Sequence, residues 1–356
     1  METKHQYRLI EANKALKSSI KRMNKTNIYL ISDDLTRSAL SLEPAVELVS
    51  ARFEFLQHRA LKQADILLVE SAWQGENNRW KYKIASYPNV PRRNNNALCR
   101  LVEQAKDLGV PTAFWNKEDD VHFDRFIDSA KLFDYVFTVD ENCIKKYRSL
   151  LPETTIVDVA MFPIQPNIHH FKGFSFKRYE ANFIGSYSSH IHDRRRMWQE
   201  TLFSAAKNVG MPVTVFDRNS DRKSSNYRYP AEQFNLNVQP SIDYLHTADV
   251  YRQYLVSLNV NTIEDSPSMF SRRVVEILAC GGILVSTPSL AMEILFKDYC
   301  HIVHNQEEAE DVLARLKFGP SKQDLEMAKA GADFVLNNFT WKQFLEKIYQ
   351  TIYQKK

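Results

Sequence analysis

Short apolar runs alternate with helical stretches along most of the chain. From Asn27 to about Val159 the runs are NIYLIS, ADILLVES, PTAFWN, DYVFTVD and TTIVDV. Most are largely apolar and end in a polar residue, the pattern of a strand buried on both faces. Between them, Asn96 to Leu108 places Leu98, Leu101, Val102, Ala105 and Leu108 on one side of a helix. Strand and helix in succession predict a parallel sheet with helices on both faces. The stretch MFPIQPNIHHFKGFSFKRYE then reads as a linker. After it the alternation restarts with ANFIGS, MPVTVFD, VSLNVNT, GILVSTP and CHIVH. Helices are predicted over Arg194–Val209, Ser268–Cys280, Gln306–Leu316, Asp324–Asn337 and Trp341–Tyr353.

The expected architecture is therefore α/β, with two doubly wound, Rossmann-like domains. The predicted boundaries are 1–165, 166–338, and a last helix over 339–356 that crosses back to the first domain. Ligands of such sheets bind outside the carboxyl ends of the strands. In the first half those ends carry Ser32-Asp33-Asp34, Glu70-Ser71, Asn116-Lys117-Glu118-Asp119 and Asp140. In the second they carry Gly185-Ser186, Asp217 and Asn261. Two domains facing each other across these edges would enclose a polar cleft. Polar residues also follow strands simply because loops are polar.

Composition changes this picture little. A chain of 356 residues suits two domains, and 44% apolar with 25% charged residues is a globular profile. No apolar run approaches the roughly 18 residues of a membrane span. Cys99, Cys143, Cys280 and Cys300 form no CxxC pair, so reduced thiols and a cytoplasmic setting are expected. A net charge of +4 does not suggest a nucleic-acid partner. The basic first segment puts Leu9, Leu16, Ile20 and Met23 on one face of a helix predicted over 4–24. That helix packs on the body, or leans on an anionic membrane surface at the inner face.

Glu264 to Ser286 carries the most specific pattern, EDSPSMFSRRVVEILACGGILVS. Ser266 is an N-cap residue type and Pro267 suits the first helical position. The N–H groups of Ser268 and Met269 would then sit at the positive end of the helix dipole, an anion site. Ser268, Arg272 and Glu276 share one stripe. A carboxylate there can accept two hydrogen bonds from a ribose diol, and an arginine can neutralise a departing diphosphate. The plainer reading is an Arg272–Glu276 surface pair.

This stretch resembles the donor-site signature of GT-B glycosyltransferases, closest to the CgeB-like, spore-maturation type branch. FWNKEDDVHFDRF, DYVFTVDENCIKKY and ANFIGSYSSHIHDRR resemble that branch too, so the likeness runs from about Asn27 to the last helix. It implies a GT-B fold and a metal-independent transferase acting on a nucleotide-sugar, UDP-linked, as substrate rather than cofactor. The acceptor would be a glycan or lipid-linked hydroxyl. Glu276 matches the glutamate that holds the donor ribose, with Arg272 or Arg273 at the phosphates. Many retaining members carry a second glutamate eight positions earlier, where this chain has Ser268. An epimerase on the same scaffold, or a silent nucleotide-sugar-binding protein, are the alternatives.

Further candidates surround this core. Gly185-Ser186-Tyr187 followed by Arg194-Arg195-Arg196 is a phosphate cradle or a solvated basic helix start. His190-x-His192 lacks a third ligand, so no metal site is expected. For the acceptor proton, Glu118 is the first candidate base, followed by Asp119 and His122. Lys117 would pair with the leaving phosphate or hold Glu118, or the whole loop would be a latch between domains. Glu70 and Trp73, with Trp80 and Tyr82 beyond, form an acceptor platform or core packing.

Overall fold

The computed structural model describes residues 25–353 other than Arg52, and the predicted helix over 4–24 lies outside them. The chain forms two compact units. The N-terminal unit holds six strands: β1 (Thr26–Ile31), β2 (Val46–Val49), β3 (Ile66–Glu70), β4 (Thr112–Asn116), β5 (Tyr135–Thr138) and β6 (Ile156–Val159). Its helices are α1 (Asp34–Ser41), α2 (Gln57–Leu61), α3 (Asn96–Asp107), α4 (Phe123–Ala130) and α5 (Cys143–Leu150). The strands are parallel in the order β2-β1-β3-β4-β5-β6. The order reverses between β1 and β3, which makes that junction a switch point, the usual place for a ligand.

The C-terminal unit repeats the plan with β7 (Arg178–Gly185), β8 (Val213–Asp217), β9 (Leu236–Gln239), β10 (Tyr254–Asn259), β11 (Ile283–Ser286) and β12 (His301–Ile302). Its helices are α6 (Asp193–Val209), α7 (Ala231–Phe234), α8 (Thr247–Gln253), α9 (Arg273–Ala279), α10 (Gln306–Leu316) and α11 (Lys322–Asn338). The parallel order is β12-β11-β10-β7-β8-β9, with its switch point between β7 and β10.

Ser266–Met269 and the last helix, α12 (Trp341–Tyr353), pack with the N-terminal unit. Trp115 of β4 makes edge contacts with Trp341 and Phe344, at ring separations of 5.8 and 4.7 Å. The Tyr353 hydroxyl donates to the Asp65 carbonyl at 2.9 Å. These contacts bury one stripe of α12, including Phe344, Leu345 and Ile348. Each sheet has its own core, for example Leu67, Leu101 and Phe126 in one and Phe183, Leu202 and Leu255 in the other. No helix among the described residues is long and apolar enough to cross a membrane.

One linker histidine makes the fold sensitive to pH. His169 is fully buried, its Nε2 lies 2.9 Å from the Thr247 hydroxyl, and its Nδ1 has no partner. Burial pushes its pKa down to about 4; Glu276 works the other way, while Arg272, Arg252 and His170 add to the lowering. The folded imidazole therefore stays neutral where the unfolded one, near 6.5, takes a proton. Its contribution to stability is present above that value and is lost as pH falls toward 4. Urea unfolding at pH 7 and pH 5 should differ by about 2 kcal/mol through this residue. A His169→Gln variant with an unchanged pH slope would refute the assignment.

Candidate functional site

At the β7–β10 switch point the central side chain is Arg273. Its Nη1 donates to the Ile184 carbonyl at 2.8 Å, and its Nη2 reaches the Val260 carbonyl at 3.4 Å and the Ser271 hydroxyl at 3.2 Å. Its guanidinium lies 4.5 Å from the centre of the Phe183 ring. Gly185 is required for this approach. A Cβ there would fall 2.5 Å from Phe183 and 2.9 Å from the Arg273 guanidinium. Arg273 is half-buried and, among the described residues, has no carboxylate partner. Burial lowers its pKa to about 10, and the nearby charges of Arg195 and Arg218 push the same way.

Arg218 was not singled out by the sequence, and Arg195 only as one member of a basic run. The Arg194-Arg195-Arg196 run divides by partner: Arg194 grips Glu264 with two hydrogen bonds, of 2.9 and 3.1 Å, and Arg196 pairs with Asp193 at 2.8 Å. Arg195 has no such carboxylate among the described residues, and burial lowers its pKa. The charges of Arg195, Arg273 and Arg218 all act on the Tyr229 hydroxyl, a buried group without a hydrogen-bond partner. Asp217 is the nearby acid; it accepts the Asn219 N–H at 2.8 Å and faces Arg228 at 3.8 Å. A concentration of cations at a strand end, with Arg273 and Arg195 lacking a carboxylate partner among the described residues, suits an anion.

On α9, Arg272 donates through Nε to Glu276 at 2.8 Å, and the Tyr251 hydroxyl lies 3.4 Å from the other carboxylate oxygen. Glu276 is 3% exposed, so this is a largely buried pair rather than a surface one. Burial opposes the Arg272 charge, but Glu276 outweighs it and holds the pKa above the ordinary value. A carboxylate has about four acceptor sites, so two bonds leave capacity for a ligand hydroxyl.

The expected anion site at Ser268 and Met269 is corrected. The helix begins at Arg273, not near Ser268. The Ser266 hydroxyl already accepts both N–H groups, at 3.3 and 3.0 Å, and closes a tight turn. Ser268 is buried; its hydroxyl donates to the Val139 carbonyl at 3.0 Å and accepts the Glu141 N–H at 2.8 Å. Two other expected contact residues are also committed to the fold. Tyr187 is buried with its hydroxyl 2.6 Å from Glu200, and the Ser186 carbonyl accepts from Gln199 at 3.0 Å. Asn261 is buried, accepts the Ser271 N–H at 3.1 Å and donates to the Thr287 carbonyl at 3.1 Å, so it shapes the approach to α9.

The N-terminal unit divides its candidates similarly. Glu70, at 1% exposure, accepts from the Asp33 N–H (2.6 Å), the Thr36 hydroxyl (2.6 Å) and Lys117 (3.0 Å). Asp33 in turn accepts the N–H groups of Trp73, Gln74 and Gly75. Glu70 is thus an anchor, which corrects its placement on an acceptor surface. Lys117 is held by Glu70 and Asp33, whose charges outweigh burial and raise its pKa.

Asp119 is fully enclosed, bonded to Asn116 (2.6 Å), Thr138 (2.7 Å) and Tyr147 (2.8 Å), and burial pushes its pKa up to about 7. This corrects its placement as a reachable base. Glu118 and His122 are brought together and remain accessible, 4.0 Å apart, with Trp73 edge-on to His122 at 5.1 Å. Among the described residues no three His, Cys, Asp or Glu side chains form a metal-binding group.

Two Rossmann-like units with this sheet order, the last helix packed with the N-terminal unit, define the GT-B fold of glycosyltransferases. Residues 194–350 match the family described as "Glycosyl transferase-like". No curated protein sequence matches the chain. Among solved structures, Anabaena HepE in complex with UDP and glucose superposes with a TM-score of 0.57 at 10% identity, over 93% of this chain and 100% of that one. Sucrose-phosphate synthase from Thermosynechococcus elongatus gives 0.56 at 11% identity, over 93% and 100%. A glycosyltransferase from Rickettsia africae gives 0.54 at 12% identity, over 94% and 100%.

Proposed function

We propose that the protein transfers a sugar from a nucleotide-sugar to a hydroxyl of a glycan or lipid-linked acceptor. The reading rests on the cations gathered at the β7–β10 switch point, where Arg273 and Arg195 have no carboxylate partner among the described residues. A diphosphate leaving group gains charge as the glycosidic bond breaks. Fixed guanidinium groups stabilise that charge without reorganising. On this reading Arg273, with Arg195 and Arg218, meets the phosphates beside Gly185. Glu276, steadied by Arg272, accepts from the ribose diol. Arginines in this number supply the counter-charge that a metal ion supplies elsewhere, so the transfer is metal-independent.

A uracil base is favoured by the HepE complex with UDP and glucose. The motif from Ser266 to Gly282 favours the CgeB-like branch. Glu118, with His122 beside it, is the base for the acceptor proton, worth roughly 10²–10⁴-fold in rate.

A thermal-shift series over UDP, other nucleoside diphosphates and UDP-sugars tests this reading. A ligand that binds the folded state raises the melting point by mass action. UDP and at least one UDP-sugar should raise it, and the UDP-sugar should release UDP only when an acceptor is present. No shift with any nucleoside diphosphate would remove the proposal.

A further inference from the structure

The N-terminal unit contains a cavity of about 260 Å³. It opens where β1 ends and is walled by Ser32, Phe53, Glu76, Arg79, Trp80 and Lys83.

Among the described residues the lining carries two cations, Arg79 and Lys83, and one carboxylate, Glu76, which is already held by Arg37 at 2.9 Å. Neither Arg79 nor Lys83 has a carboxylate partner among the described residues. Lys83 lies 5.9 Å from the Trp80 ring centre, so a cation and an aromatic face share one wall. Tyr29, also on the wall, is kept protonated by burial, which pushes its pKa up to about 12, against the Arg79 charge.

The loop that carries these groups is built with strain. Asn77, Asn78 and Tyr82 take left-handed backbone at φ of 52°, 61° and 64°, which for a tyrosine is costly. Gly75, at φ 67°, lets the loop fold back so closely that a Cβ there would sit 2.6 Å from that of Trp80. The Asp33 carboxylate fastens the start of the loop through three N–H groups. Backbone strain over-determined in this way concentrates at ligand sites.

We propose that this cavity binds a phosphate-bearing sugar, with the phosphate between Arg79 and Lys83 and the ring against Trp80. The proposal rests on the transferase reading and gives the acceptor its chemical class: a sugar phosphate, free or attached to a lipid. The exposed Phe53 and Phe55, stacked 5.5 Å apart, stand beside the cavity as an apolar surface for a lipid-attached form.

Calorimetry on the full chain tests it with glucose 6-phosphate and glucose as probes. The phosphate ester should bind at least about tenfold more tightly than glucose, the value of one charge-assisted contact. Arg79→Ala with Lys83→Ala should weaken it by about tenfold or more and leave UDP affinity unchanged.

Sedimentation with vesicles containing phosphatidic acid distinguishes the source. Retention of the wild type that the Arg79→Ala, Lys83→Ala variant loses would place the phosphate on a lipid. Failure to bind either probe, or binding untouched by the cation variant, would overturn the proposal. Loss of UDP binding by the wild type would instead remove the transferase reading and leave the cavity result standing.

Discussion

Arg273→Met should lower UDP affinity about a hundredfold, some 2.7 kcal/mol, which two lost charge-assisted hydrogen bonds would supply. The size follows from placement. The guanidinium sits half-buried at the switch point, where field lines are not dissipated by water, and no carboxylate among the described residues absorbs its charge. At neutral pH it remains protonated even with its pKa lowered to about 10. Arg273→Lys should fall between the two. It restores a charge but not the planar fork that bridges the Ile184 and Val260 carbonyls. Isothermal calorimetry ranks the three proteins. Equal affinities across the series would detach the phosphates from Arg273.

Glu276→Ala should be the most damaging single change to the C-terminal unit itself. It strands Arg272 beside the Tyr244 and Tyr251 rings without its carboxylate. Breaking a buried pair at one partner costs about 3–5 kcal/mol, and the lower end applies because Arg272 keeps part of its surface in water. Urea unfolding reads this directly. Ribose contact adds a separate loss in UDP affinity of about 1–3 kcal/mol. The double variant Arg272→Met, Glu276→Leu separates the two effects, since replacing both members of a buried pair restores stability. It should unfold near the wild-type midpoint and still bind UDP weakly. Recovery of UDP affinity along with stability would make Glu276 structural only.

The alternation of apolar runs and helices was readable because central parallel strands are buried on both faces. ILLVE in β3 and TAFWN in β4 are buried at every position. The edge strands β2 (VELV) and β9 (LNVQ) were not, since they are partly exposed and carry no continuous apolar run. The start of α9 misled for a different reason. Ser266-Pro267 has the composition of a helix cap, but the Ser268 hydroxyl is claimed by Val139 and Glu141, more than a hundred residues away in sequence. No local pattern reports such a contact.

The arginine run before α6 posed the same problem. Three adjacent identical residues differ because Glu264 and Asp193 each captured one and left Arg195 without a carboxylate partner among the described residues. Likewise, Lys117, Glu118 and Asp119 are consecutive, yet one anchors, one stays accessible and one is enclosed. Residue type announced a polar strand end; only packing assigned the work.

A thermodynamic cycle tests whether the phosphates of a nucleotide meet Arg273. UDP and uridine are titrated into the wild type and Arg273→Met, and the four free energies give one coupling term. Uridine should bind both proteins alike while UDP distinguishes them, with nearly all of the hundredfold loss appearing as coupling. Equal losses for uridine and UDP, leaving no coupling, would contradict it.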